Sequence, residues 1–146
     1  MGQWQGVSKL DWRDIELQVD ILVNKIKKKK FKFDKIATVT RGGLIPARLL
    51  ADRFDIKIIL VDKMKIPEKT LFVDDIYDTG NTFNRILPLV VHPNKFVYAT
   101  LVVRRGMICP KQLIYGKMTK GNEYITFPWD RLEYARKKKS SKLKNY

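Results

Sequence analysis

Residues 71–82 read Leu71-Phe72-Val73-Asp74-Asp75-Ile76-Tyr77-Asp78-Thr79-Gly80-Asn81-Thr82. The three apolar residues followed by two acids predict a buried strand that ends on a pair of carboxylates. A short polar turn comes next, and a helical pattern of apolar residues begins at Phe83. Backbone N–H groups at a helix start are unpaired and carry partial positive charge, so the turn favours an anion. The stretch therefore predicts a strand, an anion-binding turn and a helix.

Carboxylates beside an anion site are compatible when the ligand is a phosphorylated sugar. Its phosphate is bound by backbone N–H groups and hydroxyls of the turn. Its hydroxyls donate hydrogen bonds to the carboxylates, which are also suited to a divalent cation. The residue types of this stretch thus indicate a sugar phosphate as the ligand.

The stretch resembles the signature of the type I phosphoribosyltransferases, which bind 5-phosphoribosyl 1-pyrophosphate (PRPP). That signature is an apolar run, two acids, three variable residues and then Thr, Gly, one of Gly, Asn or Lys, and Thr, and every position is filled here. The resemblance implies that Asp74 and Asp75 bind the ribose hydroxyls and Mg²⁺, directly or through water. The residues it implies for the 5-phosphate are Asp78, Thr79, Gly80, Asn81 and Thr82.

Asp78 has a second implied role, because purine enzymes of this family use an acid at this position to contact the N7 proton of the base. We therefore count Asp78 with Asp74 and Asp75 as a candidate catalytic residue. The alternative is that Asp78 only caps the turn, as aspartate commonly does.

A second loop, Thr40-Arg41-Gly42-Gly43, lies between a predicted strand and a predicted helix. Two glycines after a strand let backbone amides approach a ligand closely, and Arg41 is suited to phosphate oxygens. A turn required only by packing would need the glycines but not the arginine. In the resembled family this loop binds the pyrophosphate of PRPP, often with a non-proline cis peptide before the first glycine. The resemblance implies that role for Thr40, Arg41, Gly42 and Gly43.

Two later segments resemble the xanthine–guanine phosphoribosyltransferases and their archaeal relatives. Those enzymes have Ala-Thr or Ala-Cys in a strand, followed by a lysine that meets the purine 6-oxygen, and Arg104 stands at that position after Ala99-Thr100. They also have aromatic-Ile-x-x-Pro-Trp-acid, which begins here at Tyr124. The resemblance implies that Tyr124 stacks on the purine and that Ile125 makes a backbone contact. Alternatively, Tyr124 is an ordinary core or edge aromatic.

Strands and helices alternate along the chain. The pattern predicts helices over 11–29, over 44–51 and from 83 to about 92, and strands over 34–40, 56–62 and 95–103, with a short strand over 113–115. Residues 1–10 are expected to be a loose lead-in, with Trp4 and Leu10 docked on the core. This order predicts an α/β, doubly wound, mainly parallel sheet of the phosphoribosyltransferase type. Its ligands would bind beyond the carboxyl ends of the strands.

The connection over 63–69 departs from the resembled family. Those enzymes usually insert a long flexible segment here that folds over the active site, whereas seven residues make a connection but not a full lid. A lid excludes water from a reactive intermediate. We therefore expect a reduced lid, with a partner subunit or another segment of the chain covering the site.

Length and charge bound the remaining possibilities. The 146 residues fit one domain over 1–135 with a basic tail over 136–146. The excess of 30 Lys and Arg over 15 Asp and Glu attracts polyanions, and it predicts non-specific nucleic-acid binding without a sequence-specific motif. No apolar run has the length of a membrane span, and the single cysteine, Cys109, fits a reducing cytoplasm.

Taken together, these features predict a Mg²⁺-dependent, homo-oligomeric (dimer or tetramer) transferase that moves the phosphoribosyl group of PRPP to guanine, xanthine or hypoxanthine. One alternative is a regulatory protein on the same fold that binds PRPP or a nucleotide and uses its basic surface for nucleic acid. Another is an enzyme of the family that acts on a different base. The short connection and the charge favour the regulator, whereas Asp78, Arg104 and Tyr124 favour the purine enzyme.

Overall fold

The computed structural model describes residues 4–132 and 135–136. Its strands and helices are, in chain order, β1 (Val7–Lys9), α1 (Trp12–Lys28), β2 (Lys35–Thr38), α2 (Leu44–Phe54), β3 (Ile59–Val61), β4 (Thr70–Tyr77), α3 (Asn81–Ile86), β5 (Val97–Val103), β6 (Leu113–Met118) and β7 (Tyr124–Thr126). Short 3₁₀ turns cover Leu87–Leu89 and Pro93–Lys95. Apart from Arg136, the basic tail predicted over 136–146 lies outside the described residues.

The central sheet has five strands in the order β3-β2-β4-β5-β6, and every neighbouring pair is parallel. Its middle strands are apolar because a parallel sheet covered by helices buries both faces. All seven residues of β5 are buried, as are the first five of β4. The predicted α/β class with a parallel sheet is therefore confirmed.

The two faces of the sheet are covered by different helices. Along β4, Leu71 and Val73 belong to the core that α1 and α2 cover, and Phe72 belongs to the core on the α3 side. This alternation follows from the two-residue period of a strand. The start of α1 is fixed by a reciprocal cap, in which the Asp14 N–H donates to Asp11 and the Asp11 N–H donates to Asp14.

The helix predicted to reach residue 92 is shorter than expected. It ends at Ile86 and continues as a 3₁₀ turn that contains Pro88. Proline lacks the N–H that a further helical turn needs, and its ring clashes with the preceding turn. Pro88 therefore marks in the sequence where the helix has to end, and the prediction of a helix to about residue 92 was wrong.

Residues 7–9 also differ from the expected loose lead-in, because they form β1 and pair in parallel with β7. Leu10, which follows β1, is buried as predicted. The short connection over 63–69, which precedes β4, is hydrogen-bonded to the segment that follows α3. Buried Ile66 donates its N–H to the Leu89 carbonyl and accepts from the Val91 N–H. None of the described helices combines the length and apolarity needed to cross a bilayer.

Candidate functional site

A cleft of about 370 Å³ opens at the carboxyl edge of the sheet, and we call it the main cleft. Both predicted phosphate loops line it, although they are more than thirty residues apart in sequence. The predicted site residues in its wall are Thr40, Arg41, Gly42, Asp74, Asp75, Asp78, Thr79, Gly80, Asn81 and Thr82. The sheet therefore brings together the residues that the sequence assigned to pyrophosphate, ribose and 5-phosphate.

The turn from β4 into α3 requires glycine at position 80. Gly80 has φ +85°, a left-handed conformation that side chains disfavour. A Cβ there would also lie 2.7 Å from the Tyr77 hydroxyl. Within the turn, the Asn81 N–H donates to the Thr79 hydroxyl at 3.3 Å. The conformation of the Thr-Gly-Asn-Thr segment therefore depends on the glycine at position 80 and on the hydroxyl of Thr79.

Asp74 and Asp75 form a buried acidic pair in the main cleft. The Asp74 carboxylate accepts from the Asp75 N–H at 2.8 Å and from the Tyr98 hydroxyl at 3.1 Å. Burial raises the pKa of Asp74, and burial together with the charge of Asp74 raises the pKa of Asp75 well above its usual value. No described lysine or arginine forms an ion pair with either carboxylate. A bound cation or hydroxyl donor would therefore relieve this electrostatic cost.

The donor set fits a magnesium ion that is shared with a substrate. Across residues 4–132 and 135–136, no group of three or more His, Cys, Asp or Glu side chains could hold a metal alone. Mg²⁺ commonly binds through one or two carboxylates together with substrate phosphates and water. Asp74 and Asp75 supply the protein part of such a set.

The second loop is pressed against the acidic pair. A Cβ at Gly42 would lie 2.4 Å from Asp75 Oδ2, and one at Gly43 would lie 1.9 Å from Thr38 Oγ1. A side chain at either position would therefore force a neighbouring group to move. The peptide bond between Thr40 and Arg41 is cis, as the resembled loop led us to expect.

Asp62 anchors this loop from the end of β3. It accepts from the Thr40 N–H at 2.9 Å and from the Thr40 hydroxyl at 2.7 Å, and these bonds lower its pKa. Asp62 is therefore ionised at neutral pH and holds Thr40, the residue next to Arg41. Its signal in the sequence was an acid at the carboxyl end of a predicted strand, the same pattern that identified Asp74.

A smaller cavity of about 110 Å³, which we call the side cavity, adjoins the main cleft. Its wall contains Arg104, Tyr124 and Ile125, the three residues predicted to contact the base. Asp75 and Asp78 line both cavities. The predicted base residues and the predicted ribose residues are therefore contiguous.

Arg104 links the two sides of the site. Its Nε donates to Asp78 Oδ1 at 3.0 Å, and its Nη1 donates to the carbonyls of Gly121 at 3.2 Å and Glu123 at 2.6 Å. Among the described residues, none accepts a hydrogen bond from Nη2. Because the side chain is only 8% exposed, these bonds fix the guanidinium in one orientation. Nη2 is thus the donor that Arg104 has available for a ligand.

Trp4 forms a wall of the side cavity that sequence reasoning missed. Its ring lies 5.3 Å from that of Tyr124, edge to face, and its centroid is 5.0 Å from Arg104 Cζ. The segment is held by the pairing of β1 with β7, and the Gln5 N–H donates to the Asn122 carbonyl at 2.9 Å. Trp4 was expected on the core but lies beside the predicted base residues.

Three proteins that are similar to this chain in sequence or structure are named phosphoribosyltransferases. The xanthine-guanine phosphoribosyltransferase of Chromohalobacter salexigens is 25% identical over 141 residues, covering 83% of this chain and 82% of its own. The purine phosphoribosyltransferase from Pyrococcus horikoshii Ot3 superposes with a TM-score of 0.67 at 24% identity, over 86% of this chain and 94% of that one. For the Helicobacter pylori xanthine-guanine-hypoxanthine phosphoribosyltransferase the TM-score is 0.73 at 19% identity, over 91% and 99%.

The chain has the fold of a type I phosphoribosyltransferase. The resemblance predicted from residues 71–82 is therefore confirmed. No protein-family model matches the chain.

Sequence reasoning assigned no role in the site of this phosphoribosyltransferase fold to Asp62, and it placed Trp4 on the core. The sequence contained a signal for only one of these two residues. Asp62 followed a strand and could have been included. Trp4 had no local signal, because its place depends on pairing between strands more than a hundred residues apart.

Proposed function

We propose that the chain is a purine phosphoribosyltransferase that transfers the phosphoribosyl group of PRPP to a 6-oxopurine, with release of pyrophosphate. The observation that carries the proposal is the contiguity of the main cleft and the side cavity across Asp75 and Asp78. PRPP would occupy the first and the base the second, so the anomeric carbon and the base nitrogen would meet where the two join. The names of the relatives support the choice of a 6-oxopurine.

PRPP would be bound by three groups of residues. Asp74 and Asp75 accept hydrogen bonds from the ribose hydroxyls, and the turn over 78–82 binds the 5-phosphate. The loop over 40–43 binds the pyrophosphate, with Arg41 as its cation. Asp74 and Asp75 would hold Mg²⁺, which when bound supplies positive charge to the leaving pyrophosphate.

Catalysis would consist of positioning and charge stabilisation, because the protein needs to supply no nucleophile. As pyrophosphate leaves, the sugar becomes cationic. Burial raises the pKa of both carboxylates, and the charge of Asp74 raises the pKa of Asp75 further, so negative charge is destabilised in this buried environment. A developing positive charge next to the acidic pair is favoured for the same reason.

The base would be read by the residues of the side cavity. Arg104 Nη2 donates to the purine 6-oxygen, Tyr124 stacks on the ring, and Ile125 contributes a backbone contact. Asp78 contacts the N7 proton, and its hydrogen bond from Arg104 Nε keeps it oriented toward the base. Trp4, from the amino-terminal segment, covers the base. It would thereby serve as part of the lid that the short connection over 63–69 does not provide.

The short connection also favours a second candidate, a regulatory protein that binds PRPP or a nucleotide without turning it over. The connection over 63–69 is hydrogen-bonded to the segment around the 3₁₀ turn through Ile66, and none of its residues lines the main cleft. Such a protein would keep the binding loops and have no need of a closing lid.

The test is pyrophosphate release from PRPP and Mg²⁺ with guanine, xanthine, hypoxanthine, adenine or uracil added separately, with the nucleotide product identified by chromatography. We expect release with one or more 6-oxopurines, together with the matching nucleoside monophosphate. Release with uracil or adenine alone would replace the proposed substrate. Calorimetric binding of PRPP without release for any base would favour the regulatory protein.

A further inference from the structure

A groove of about 530 Å³ lies at the amino edge of the sheet, and we call it the amino-edge groove. It is bounded by the end of α1, the start of β4 and the start of β5, through residues 29–32, 67–70 and 94–97. Thr70 and Tyr77 are the two ends of β4, which at about 3.3 Å per residue lie about 23 Å apart. The groove is therefore separate from the main cleft, and the proposed function makes no use of it.

The groove is strongly basic. The lysines that line it are Lys29, Lys30, Lys32, Lys69 and Lys95. Its one acid among the described residues is Glu68, whose carboxylate is hydrogen-bonded to the His92 ring. None of the five ammonium groups forms a hydrogen bond or ion pair with another described residue. The positive charge of the groove is therefore available to a ligand that carries several negative charges.

Two of these lysines have a backbone conformation that favours glycine. Lys30 has φ +54° and Lys69 has φ +56°. Lys30 directly follows the last residue that caps α1, a position that glycine most often occupies. A left-handed backbone conformation is unfavourable for residues other than glycine. Glycine at either position would therefore make the fold more stable than lysine does. The presence of lysine at both positions is consistent with a binding role for the two side chains.

The floor of the groove is apolar. Phe31, Val90, Phe96 and Val97 line it, and Phe31 is half-buried with its ring stacked 5.6 Å from that of Phe33. A small inorganic anion would gain nothing from such a floor. A base with its phosphates would match both parts, the ring lying on the apolar floor and the phosphates on the lysines.

We propose that the amino-edge groove binds single-stranded nucleic acid. Phosphates of successive nucleotides contact the five lysines, which come from three separate chain segments and so are spread along the groove. A base lies against Phe31. The net charge of +15, which the acidic pair of the main cleft does not explain, increases the rate of encounter with a polyanion.

The experiment is a fluorescence anisotropy titration of the full chain with a labelled oligouridylate of about 12 nucleotides, over about 50–300 mM KCl. Each phosphate contact to a single strand contributes about 0.7 to the slope of log K against log salt, so five contacts predict about −3.5. The groove variant is Lys30→Gly with Lys69→Gly. It should melt no lower than wild type, and its slope should be smaller in magnitude by about 1.4.

The matched control variant is Lys63→Gln with Lys117→Gln, which removes the same charge from exposed positions outside the groove. We expect it to bind more tightly than the groove variant at every salt concentration, and both to release pyrophosphate at the wild-type rate. Equal affinities and slopes for the two variants would overturn the proposal, because binding would then depend on dispersed charge.

Three further results would overturn the proposal. The first is absence of oligonucleotide binding at the lowest salt. The second is binding to vesicles of anionic lipid but not to the oligonucleotide. The third is a fall in oligomeric mass, measured by light scattering, in the groove variant alone, since the groove would then be an interface between copies of this chain.

Discussion

Gly42→Ala is expected to lower kcat/KM for PRPP about 100-fold while leaving the fold intact. The added Cβ would lie 2.4 Å from Asp75 Oδ2 and 2.7 Å from its Cγ, whereas an ordinary contact is at least 3.4 Å. The Asp75 carboxylate must therefore move by about 1 Å. A displacement of that size in a positioning group costs about 10²-fold in rate, or about 2.7 kcal/mol of transition-state stabilisation.

The assay is the initial rate of pyrophosphate release as PRPP is varied at a saturating concentration of the base. Gly121→Ala is the matched control, because a Cβ at Gly121 meets nothing within 4 Å. We expect the control to keep wild-type kcat/KM, and both variants to melt within a few degrees of wild type. If Gly42→Ala kept the kcat/KM of the control, the contact between the second loop and the acidic pair would not matter for catalysis.

Three more substitutions test separate parts of the site. Trp4→Ala should raise KM for the base and leave KM for PRPP unchanged, whereas the exposed Trp12→Ala should alter neither; a change in KM for PRPP alone would contradict the proposed role. Asp75→Asn should abolish Mg²⁺-dependent use of PRPP. Because the folded-state pKa of Asp75 is raised, the folded state binds protons more tightly, so unliganded wild type should melt higher at about pH 5 than at about pH 7.5. Asp75→Asn should reduce that difference and raise the melting temperature at about pH 7.5. A melting temperature below that of wild type at this pH would show that ionised Asp75 does not destabilise the fold. Arg41→Ala should raise KM for PRPP far more than KM for the base, with Arg48→Ala as the control, and equal effects on both substrates would make Arg41 structural.

The central sheet and the main cleft could be predicted because their signals are local. Asp74 and Asp75 directly follow a buried strand, and the chain of a parallel α/β sheet delivers such residues to one edge. The loop with Arg41 followed another strand and was placed at the same edge by the same rule. A connection as short as 63–69 could be recognised by counting residues.

What the sequence did not reveal depends on contacts between distant segments. β1 has three residues and pairs in parallel with β7 near the other end of the chain, so no local pattern announces Trp4 as a wall of the side cavity. The hydrogen bonds of Arg104 to the carbonyls of Gly121 and Glu123 arise in the same way. Arg104 was identified by alignment with a lysine, but its attachment to Asp78 required the folded site.

The most direct test of the proposed function is the molar ratio of nucleoside monophosphate to pyrophosphate formed from PRPP and guanine. The ratio matters because the connection over 63–69 is too short to form a long lid that would exclude water. A ratio of one would show that the side cavity delivers the base to the sugar before water reaches it, as we propose. Pyrophosphate formed without the nucleotide, or no pyrophosphate with any 6-oxopurine, would contradict the account.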